Sequence, residues 1–191
     1  RNIDAFERLE HVPITKAEVR AVILSKLQLK DHAIVWDVGA GSGSVGLEAL
    51  CLVDSAQLFA FEKQANACAL IEANARRLKL RNYEVIEGFA PESFSGYPSP
   101  SHVFIGGSSG ALDAIFASLK ERKHKMRIVV SATTLQSAYK AQQELQSDAY
   151  CNFEMQVMTV SRAHKLGTYT IMQGENPVYI ISADLRLEEE L

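Results

Sequence analysis

The stretch VWDVGAGSG, from Val35 to Gly43, combines residue types that let a ligand approach a protein backbone closely. Three glycines alternate with small residues directly after a short apolar run, and one acid lies within that run. Glycine permits positive φ and leaves room beside the backbone, and a helix that begins after the turn directs its free amide groups at the same place. The pattern predicts a ligand-binding turn between a strand and a helix. The residues predicted to bind there are Asp37, Gly39, Ala40, Gly41, Ser42 and Gly43.

Two common classes of nucleotide ligand do not match the spacing of this turn. A dinucleotide-binding Gly-x-Gly-x-x-Gly that starts at Gly39 would need its third small position at Ser44, whereas Gly43 comes one residue early. A phosphate-binding loop needs Lys followed by Ser or Thr at the start of the helix, and residues 42–46 contain no Lys. The remaining class is S-adenosylmethionine, which carries no phosphate and depends on close backbone contact. Asp37 could balance its cationic ammonium group, directly or through a water molecule.

The ends of the next two predicted strands carry side chains that suit the same cofactor. Glu62 follows the glycines by about twenty residues, the spacing at which an acid usually holds ribose hydroxyls. After the third strand, Gly88 and Ala90 leave room for a flat base, and Phe89 could pack on it. Each feature has an ordinary alternative when it is taken alone. The glycine turn could be a tight connection, Glu62 a solvated acid and Phe89 a core residue. Their order and spacing together favour the cofactor site.

Residues 37–43 together with Glu62 resemble the class I S-adenosylmethionine methyltransferases. Within that class, the chain resembles the precorrin decarboxylating methyltransferases of cobalamin biosynthesis over essentially its whole length. That family includes stand-alone proteins and the C-terminal half of a fused precorrin-6Y C5,15-methyltransferase, and a chain that opens on Arg1 is compatible with either. The segments that carry the resemblance are Phe6-Glu7, Ile14 to Arg20, Glu87 to Glu92, Phe104 to Gly110 and Asn176 to Val178.

The resemblance implies a reaction, a cofactor and several site residues. The expected reaction methylates C15 of a precorrin with S-adenosylmethionine and releases carbon dioxide from the acetate on ring C. Thr15, the glycine turn, Glu62 and Ala90 are then expected to line the cofactor. Phe89 departs from the family, because the usual Gly-Asp-Ala-Pro-Glu is here Gly-Phe-Ala-Pro-Glu. Any polar contact that the family's Asp makes to the cofactor must therefore be lost here or be made by another residue. The family further implies a homo-oligomer, expected to be a tetramer, and leaves open a C5-methylating domain fused upstream.

Methyl transfer from a sulfonium depends mainly on aligning the nucleophile, the methyl group and the sulfur. We therefore expect no nucleophilic triad, and we assign no catalytic residue and no metal site. In the decarboxylation, the conjugated macrocycle can accept the electron pair. The protein must then hold the substrate carboxylates and exclude water.

A carboxylate-rich substrate needs a local basic patch on a chain whose formal net charge is −3. Residues 161–167 bring three cationic candidates together between late strands, and Arg20 lies one helical turn after Lys16. Arginine pairs well with carboxylates, although ordinary solvated side chains are the alternative. The glycines after the fourth strand would let a large flat ring approach. The predicted substrate-binding residues are Arg20, Gly106, Gly107, Ser108, Arg162, His164 and Lys165.

Alternating apolar runs and helical patterns predict a Rossmann-like α/β fold, with a mostly parallel sheet and helices on both faces. After residue 150, strands follow one another and predict a C-terminal antiparallel hairpin with a turn at Gly174 to Pro177. Thr15 to Glu18 form a candidate capping box for the first helix, and Asp184 to Leu191 a frayed acidic end. The predicted strands are 33–38, 57–61, 83–86, 103–105, 127–130, 153–160, 169–172 and 178–182, and the later helices are 45–52, 65–80, 112–119 and 135–145.

The length of 191 residues fits a single domain. Within it we distinguish an N-terminal segment with a capping helix (1–30), a cofactor-binding core (31–150) and a hairpin region (151–191). No apolar run is long enough to cross a bilayer, and no signal peptide opens the chain. Three cysteines, an odd number without metal-type spacing, predict buried thiols in a reducing, cytoplasmic compartment.

Three other functions compete with the precorrin methyltransferase. An RNA or protein methyltransferase is disfavoured because residues 105–109 lack an Asn/Asp-Pro-Pro-aromatic turn and the chain lacks a broad basic stripe. A non-catalytic scaffold with the same fold is favoured only by Phe89. An NAD oxidoreductase is the weakest alternative, because of the glycine spacing. We expect no nucleic-acid partner and no membrane partner.

Overall fold

The computed structural model describes residues 6–187. Within them, seven strands form one sheet in the order β3-β2-β1-β4-β5-β9-β6, and β7 and β8 form a separate two-stranded hairpin. The strands are β1 (Ile34–Val38), β2 (Gln57–Glu62), β3 (Tyr83–Glu87), β4 (His102–Ile105), β5 (Met126–Ala132), β6 (Tyr150–Met158), β7 (Ser161–Leu166), β8 (Tyr169–Gly174) and β9 (Val178–Leu185). The helices are α1 (Ala17–Leu27), α2 (Ser44–Leu52), α3 (Ala65–Arg77), α4 (Leu112–Glu121) and α5 (Leu135–Leu145).

The direction of the strands determines where a ligand can bind. Strands β1 to β5 are parallel, with β1 between β2 and β4, whereas β9 runs antiparallel between β5 and β6. From β1 the chain first proceeds outward to β2 and β3, and then crosses back to β4 on the other side of β1. Sheets of this kind bind ligands at the carboxyl ends of the strands where the order reverses. The glycine turn after β1 lies at this point.

The central strands are almost continuously apolar because helices cover both faces of the sheet. Alternate side chains of β1 enter two different cores. Trp36 packs with Phe61 and Phe94 on one face, with ring centroids 4.7 to 4.8 Å apart. Val35 packs on the other face, in the core that also contains residues of α1, α2 and α3. The two cores fix the ends of the strands that build the site.

The predicted fold class is confirmed: the sheet is mostly parallel, helices lie on both faces, and an antiparallel hairpin follows near the C-terminus. The hairpin differs in its location from the prediction. Residues 161–167 were expected between strands, but Ser161–Leu166 form β7, which pairs with β8. The turn expected at Gly174 to Pro177 does connect β8 to β9, yet these two strands do not pair, because β9 enters the main sheet between β5 and β6.

Two predictions about element ends are wrong. The capping box does not form, since the N-cap of α1 is Lys16 without a side-chain cap, and Glu18 instead accepts two hydrogen bonds from Arg162. The frayed end expected from Asp184 onward is contradicted at its first two residues, since β9 includes Asp184 and Leu185. Positions 188–191 of that predicted end lie outside the described residues. No helix in residues 6–187 combines the length and the apolar character needed to cross a membrane.

Candidate active site

A cavity of about 510 Å³ lies at the carboxyl ends of β1, β2, β3 and β4. Its volume is within the range of small-molecule sites in proteins, roughly 300–1,000 Å³. Five segments form its wall, and one of them is the segment from Phe6 to Lys16, which we call the N-terminal strap. The lining residues include Val12, Pro13 and Thr15 of the strap, Gly39, Ala40 and Gly41, Glu62, Lys63 and Gln64, Gly88, Phe89 and Ala90, and Gly106, Gly107, Ser108 and Ser109.

The glycine turn is required by close contacts between these segments. A Cβ atom at Gly39 would lie 2.1 Å from the carbonyl oxygen of Gly107, so the turn after β1 and the loop after β4 touch through bare backbone. A Cβ at Gly41 would lie 3.0 Å from the carbonyl oxygen of Pro13 in the strap. Both glycines also adopt positive φ, at +69° and +57°, which other residues rarely do. The predicted turn is thus the place where three walls of the cavity meet.

Glu62 ends β2 at the cavity and is 8% exposed. Its Oε2 accepts a hydrogen bond from the Gly41 amide at 2.9 Å, and its Oε1 accepts one from the Gln64 amide at 3.0 Å. A carboxylate offers about four acceptor positions, so two remain for the hydroxyls of a ligand. The carboxylate is held in place by backbone amides on both sides. These residues therefore fit a ribose-containing cofactor such as S-adenosylmethionine.

Asp37 has a structural contact that the sequence did not predict. The side chain is fully buried, and its Oδ2 accepts from the Gly46 amide at 2.9 Å. Gly43, the N-cap of α2, has no side chain to perform this role, so Asp37 satisfies a free amide of the first helical turn. Burial raises the pKa of Asp37 to about 7, and the charge of Glu62 acts in the same direction. Among the described residues, Asp37, Ser42 and Gly43 are buried and absent from the cavity wall.

The wall after β3 contains Phe89, which is 64% exposed and therefore not a core residue. The Nζ of Lys63 lies 5.7 Å from the centre of the Phe89 ring, within the range of a cation–π contact. Ala90 is half-buried beside it, and both line the cavity. An exposed ring at the mouth of a cavity is available to stack on a flat ligand.

Arg20 does not lie where substrate contact would require. It is 3% exposed and is not part of the cavity wall formed by residues 6–187. Its guanidinium is paired with Glu48 of α2 and donates to the carbonyl oxygen of Thr15 at 2.6 Å. The prediction that Arg20 binds substrate is therefore corrected: its Nε and Nη1 donate inside the protein, and the Thr15 that it contacts lines the cavity.

The three late cations do not form one patch. Successive residues of a strand point to opposite faces, so Arg162 and His164 share one face of β7 while Lys165 lies on the other. Arg162 donates to both carboxylate oxygens of Glu18, at 3.0 and 2.7 Å, and to Glu175 at 3.1 Å. These two acids raise the pKa of Arg162. In return Arg162 lowers the pKa of Glu18, whereas the pKa of Glu175 is lowered first by Lys16 and then by Arg162. Of the described residues at the cavity wall, none belongs to β7.

Sequence reasoning found Gly39 to Gly41, Glu62, Phe89, Ala90, Thr15 and the loop from Gly106 to Ser108, and the structure brings these together around one cavity. It missed Val12 and Pro13, which lie in a segment without periodicity. It also missed Lys63, although the position directly after Glu62 was a signal for it. The contacts of all these residues with a ligand remain predictions.

Comparison with known proteins places this chain in a family. Residues 4–184 match the family described as "Precorrin methyltransferase domain". A relative from Pyrobaculum calidifontis, named probable cobalt-precorrin-6B C(15)-methyltransferase (decarboxylating), is 38% identical over 182 residues, which are 94% of this chain and 93% of the relative.

Two solved structures share the same architecture. Precorrin-6y C5,15-methyltransferase from Geobacter metallireducens is 40% identical, covers 94% of both chains and superposes with a TM-score of 0.85. The C-terminal domain of precorrin-6Y C5,15-methyltransferase from Rhodobacter capsulatus is 28% identical, covers 95% of both chains and gives a TM-score of 0.83. The match to the family covers almost the whole chain. We conclude that this chain belongs to the precorrin methyltransferase family.

Proposed function

We propose that the protein uses S-adenosylmethionine to methylate C15 of a precorrin and to decarboxylate the acetate side chain of ring C. The observation that carries the proposal is the carboxylate of Glu62, fixed by two backbone amides with acceptor positions left at the wall of a 510 Å³ cavity. The name of the Pyrobaculum calidifontis relative, which specifies the C15 position and the decarboxylation, supports the same reaction.

Each wall of the cavity has a separate task in this proposal. S-adenosylmethionine supplies the methyl group when bound. Glu62 accepts hydrogen bonds from the ribose hydroxyls, and Phe89 stacks on the base in place of the family's usual acid. The bare backbone of Gly106 and Gly107 lets the flat macrocycle approach the methyl group, so that alignment provides the main catalytic effect. The strap and the loop after β4 exclude water while the macrocycle accepts the electron pair left by carbon dioxide.

We also propose that Arg162 and His164, which share one face of β7, contact the carboxylate arms of the substrate, whereas Lys165 on the other face does not share this contact. Arg162 already binds two carboxylates, those of Glu18 and Glu175, in an exposed setting. Exposed ion pairs contribute little net stability, so a substrate carboxylate can replace either acid at small cost. Glu18 lies three residues after Thr15, which lines the cavity, so this exchange would occur near its mouth.

The hairpin supports the proposal of a homo-oligomer, expected to be a tetramer. Leu166, Tyr169 and Ile171 are large apolar side chains on one face of β7 and β8, and they are 42 to 74% exposed. Contiguous exposed apolar residues commonly mark protein–protein contacts. Light scattering of the intact protein tests this proposal, and a monomer at micromolar concentration would contradict it.

We further propose that residues 1–191 form one methyltransferase domain, located in the cytoplasm, whose termini lie outside the described residues. Three free thiols at Cys51, Cys68 and Cys151 support a reducing compartment. The name of the Rhodobacter capsulatus structure, the C-terminal domain of a C5,15-methyltransferase, supports the possibility of a C5-methylating domain upstream.

A labelling experiment separates this function from its rivals. The protein is incubated with methyl-labelled S-adenosylmethionine together with a precorrin, bulk RNA or a protein mixture. We expect label in the tetrapyrrole alone, and no salt-dependent binding of RNA. Label in RNA or protein would overturn the proposed substrate, whereas a protein that binds no S-adenosylmethionine at all would be a scaffold.

A further inference from the structure

Two buried polar side chains hold the N-terminal strap to the rest of the protein, and neither belongs to the cavity wall formed by the described residues. Asn74 of α3 is 0% exposed and Arg20 of α1 is 3% exposed. Burial of such groups is unfavourable unless their hydrogen-bonding capacity is used. The groups to which Asn74 and Arg20 are hydrogen-bonded therefore show what these two side chains do.

Asn74 connects the strap to the glycine turn. Its side-chain oxygen accepts from the Glu7 amide at 2.7 Å. Its nitrogen donates to the carbonyl oxygen of Ser42 at 3.1 Å and to that of Glu7 at 3.4 Å. One amide side chain thus fixes the position of the strap relative to the turn that forms the adjoining wall. An apolar side chain at this position would leave buried backbone groups without partners.

Arg20 holds the strap near both of its ends. Its Nη1 donates to the carbonyl oxygen of Thr15 at 2.6 Å, and the guanidinium carbon lies 5.1 Å from the centre of the Phe6 ring. The ion pair with Glu48 fixes the guanidinium against α2, the helix that begins at the glycine turn. Only the planar fork of arginine can make these contacts together, since a lysine has a single compact charged end.

The part of the strap between these two attachments covers the cavity. Val12 packs against Ala67 and Leu70 of α3 in a small separate core. Pro13 and Thr15 line the cavity, and the Pro13 carbonyl approaches Gly41 so closely that a Cβ there would lie only 3.0 Å away. The strap therefore depends on α3 for support and on Arg20 and Asn74 for its position.

We infer that Asn74 and Arg20 are positioning residues for cofactor binding, which act by holding residues 12–15 of the strap against the cavity. The inference rests on the proposed function of the cavity as an S-adenosylmethionine site. Loss of either attachment frees the strap, removes one wall and weakens binding of the cofactor. A change that affects ground state and transition state alike raises KM for the cofactor more than it lowers kcat.

The test compares Arg20→Lys and Asn74→Ala with Arg127→Lys as a matched control. Arg127 is also a buried arginine, but it lies near the start of β5, at the end of the strand away from the cavity, where it bonds to Asp184, Ser182 and the Lys26 carbonyl. For each variant, calorimetry gives the Kd for S-adenosylmethionine, hydrogen exchange gives the protection of amides 7–16, and urea unfolding gives the stability.

We expect Arg20→Lys and Asn74→Ala each to raise the Kd by about tenfold and to speed exchange within the strap. Arg127→Lys is expected to lower stability while the Kd and strap protection stay unchanged. Folded variants that keep the original Kd, or an equal rise in the control, would overturn the inference. If Asn74→Ala does not fold, Arg20→Lys decides alone, because it retains its charge opposite Glu48. Absence of binding by the unmodified protein would instead overturn the proposed function.

Discussion

The Oε2 atom of Glu62 accepts a hydrogen bond from the Gly41 amide at 2.9 Å, and this bond joins the end of β2 to the turn after β1. The two segments that would bind a nucleoside are thereby fixed to each other before any ligand is present. Such preorganisation lowers the ordering cost of binding. It also means that the acid cannot be removed without disturbing the turn, so conservative substitutions give the clearest tests.

Glu62→Gln is expected to weaken binding of S-adenosylmethionine by about tenfold to a hundredfold, because one acceptor atom and the negative charge are lost. The amide oxygen of Gln can still accept from Gly41. Glu87→Gln is the matched control, since Glu87 is paired in register with Glu62 on β3 but is exposed. Calorimetry that finds the same loss in both variants would show that the acid does not contact the cofactor.

Gly39→Ala is expected to abolish most activity and to lower stability by several kcal/mol, because the added Cβ would lie 2.1 Å from the Gly107 carbonyl oxygen. Gly96→Ala separates backbone strain from contact. Gly96 also has positive φ, and a Cβ added there would have no atom of the described residues within 4 Å. Its substitution should cost only about 1–2 kcal/mol. Urea unfolding and turnover check both, and equal losses would show that the Gly39–Gly107 contact is unimportant.

Asp37→Asn is expected to change how stability depends on pH. Burial raises the pKa of Asp37 from 3.8 to about 7 in the folded state. Between these pH values the folded protein binds a proton that the unfolded chain has released, so this group makes the free energy of unfolding fall as pH rises. Asn does not titrate. The free energy of unfolding of the variant, relative to that of the original protein, should therefore rise from pH 4 to pH 7 by on the order of a few kcal/mol. Above pH 7 the difference should stay constant.

Urea unfolding at several pH values measures this difference directly. The Asn oxygen can still accept from the Gly46 amide, so the helix contact is retained in the variant. A difference in unfolding free energy that is constant from pH 4 to pH 8 would mean that Asp37 titrates normally.

Phe89→Ala is expected to weaken binding of S-adenosylmethionine several-fold, because a stacking contact contributes about 1 kcal/mol. Stability should change little, since Phe89 is 64% exposed. Leu135→Ala, at a residue of α5 that is 68% exposed, is the control for loss of an exposed apolar side chain. A Kd that stays the same in Phe89→Ala would leave this aromatic substitution in the family motif without a role in the cofactor site.

The parallel core could be predicted because it is covered on both faces, so that its strands are short apolar runs separated by helical patterns. The first strand of the hairpin, β7, could not be predicted, since each of its residues is exposed and the sequence carries no buried face to mark it. Its position depends on pairs distant in sequence, such as Arg162 with Glu18, which no local pattern reveals.

The site residues that glycine spacing and strand ends determine could be predicted from the sequence. Residues whose role depends on burial were predicted less well. Arg20 lies three, four and seven residues before Ile23, Leu24 and Leu27, all buried on one face of α1. That spacing was a signal that Arg20 points inward, although its acceptor, the Thr15 carbonyl, could not be read from the sequence. Asn74 is buried on the inner face of α3, but its link to the strap depends on the tertiary structure and could not be read from the sequence.

The most direct test of the central claim is the mass of the product formed from cobalt-precorrin-6B, the substrate in the name of the Pyrobaculum calidifontis relative. The substrate is incubated with the protein and S-adenosylmethionine, and the product is analysed by mass spectrometry. The proposed function predicts a tetrapyrrole that has gained one methyl group and lost one carbon dioxide. A tetrapyrrole whose mass does not change, under conditions in which the protein binds S-adenosylmethionine, would contradict it.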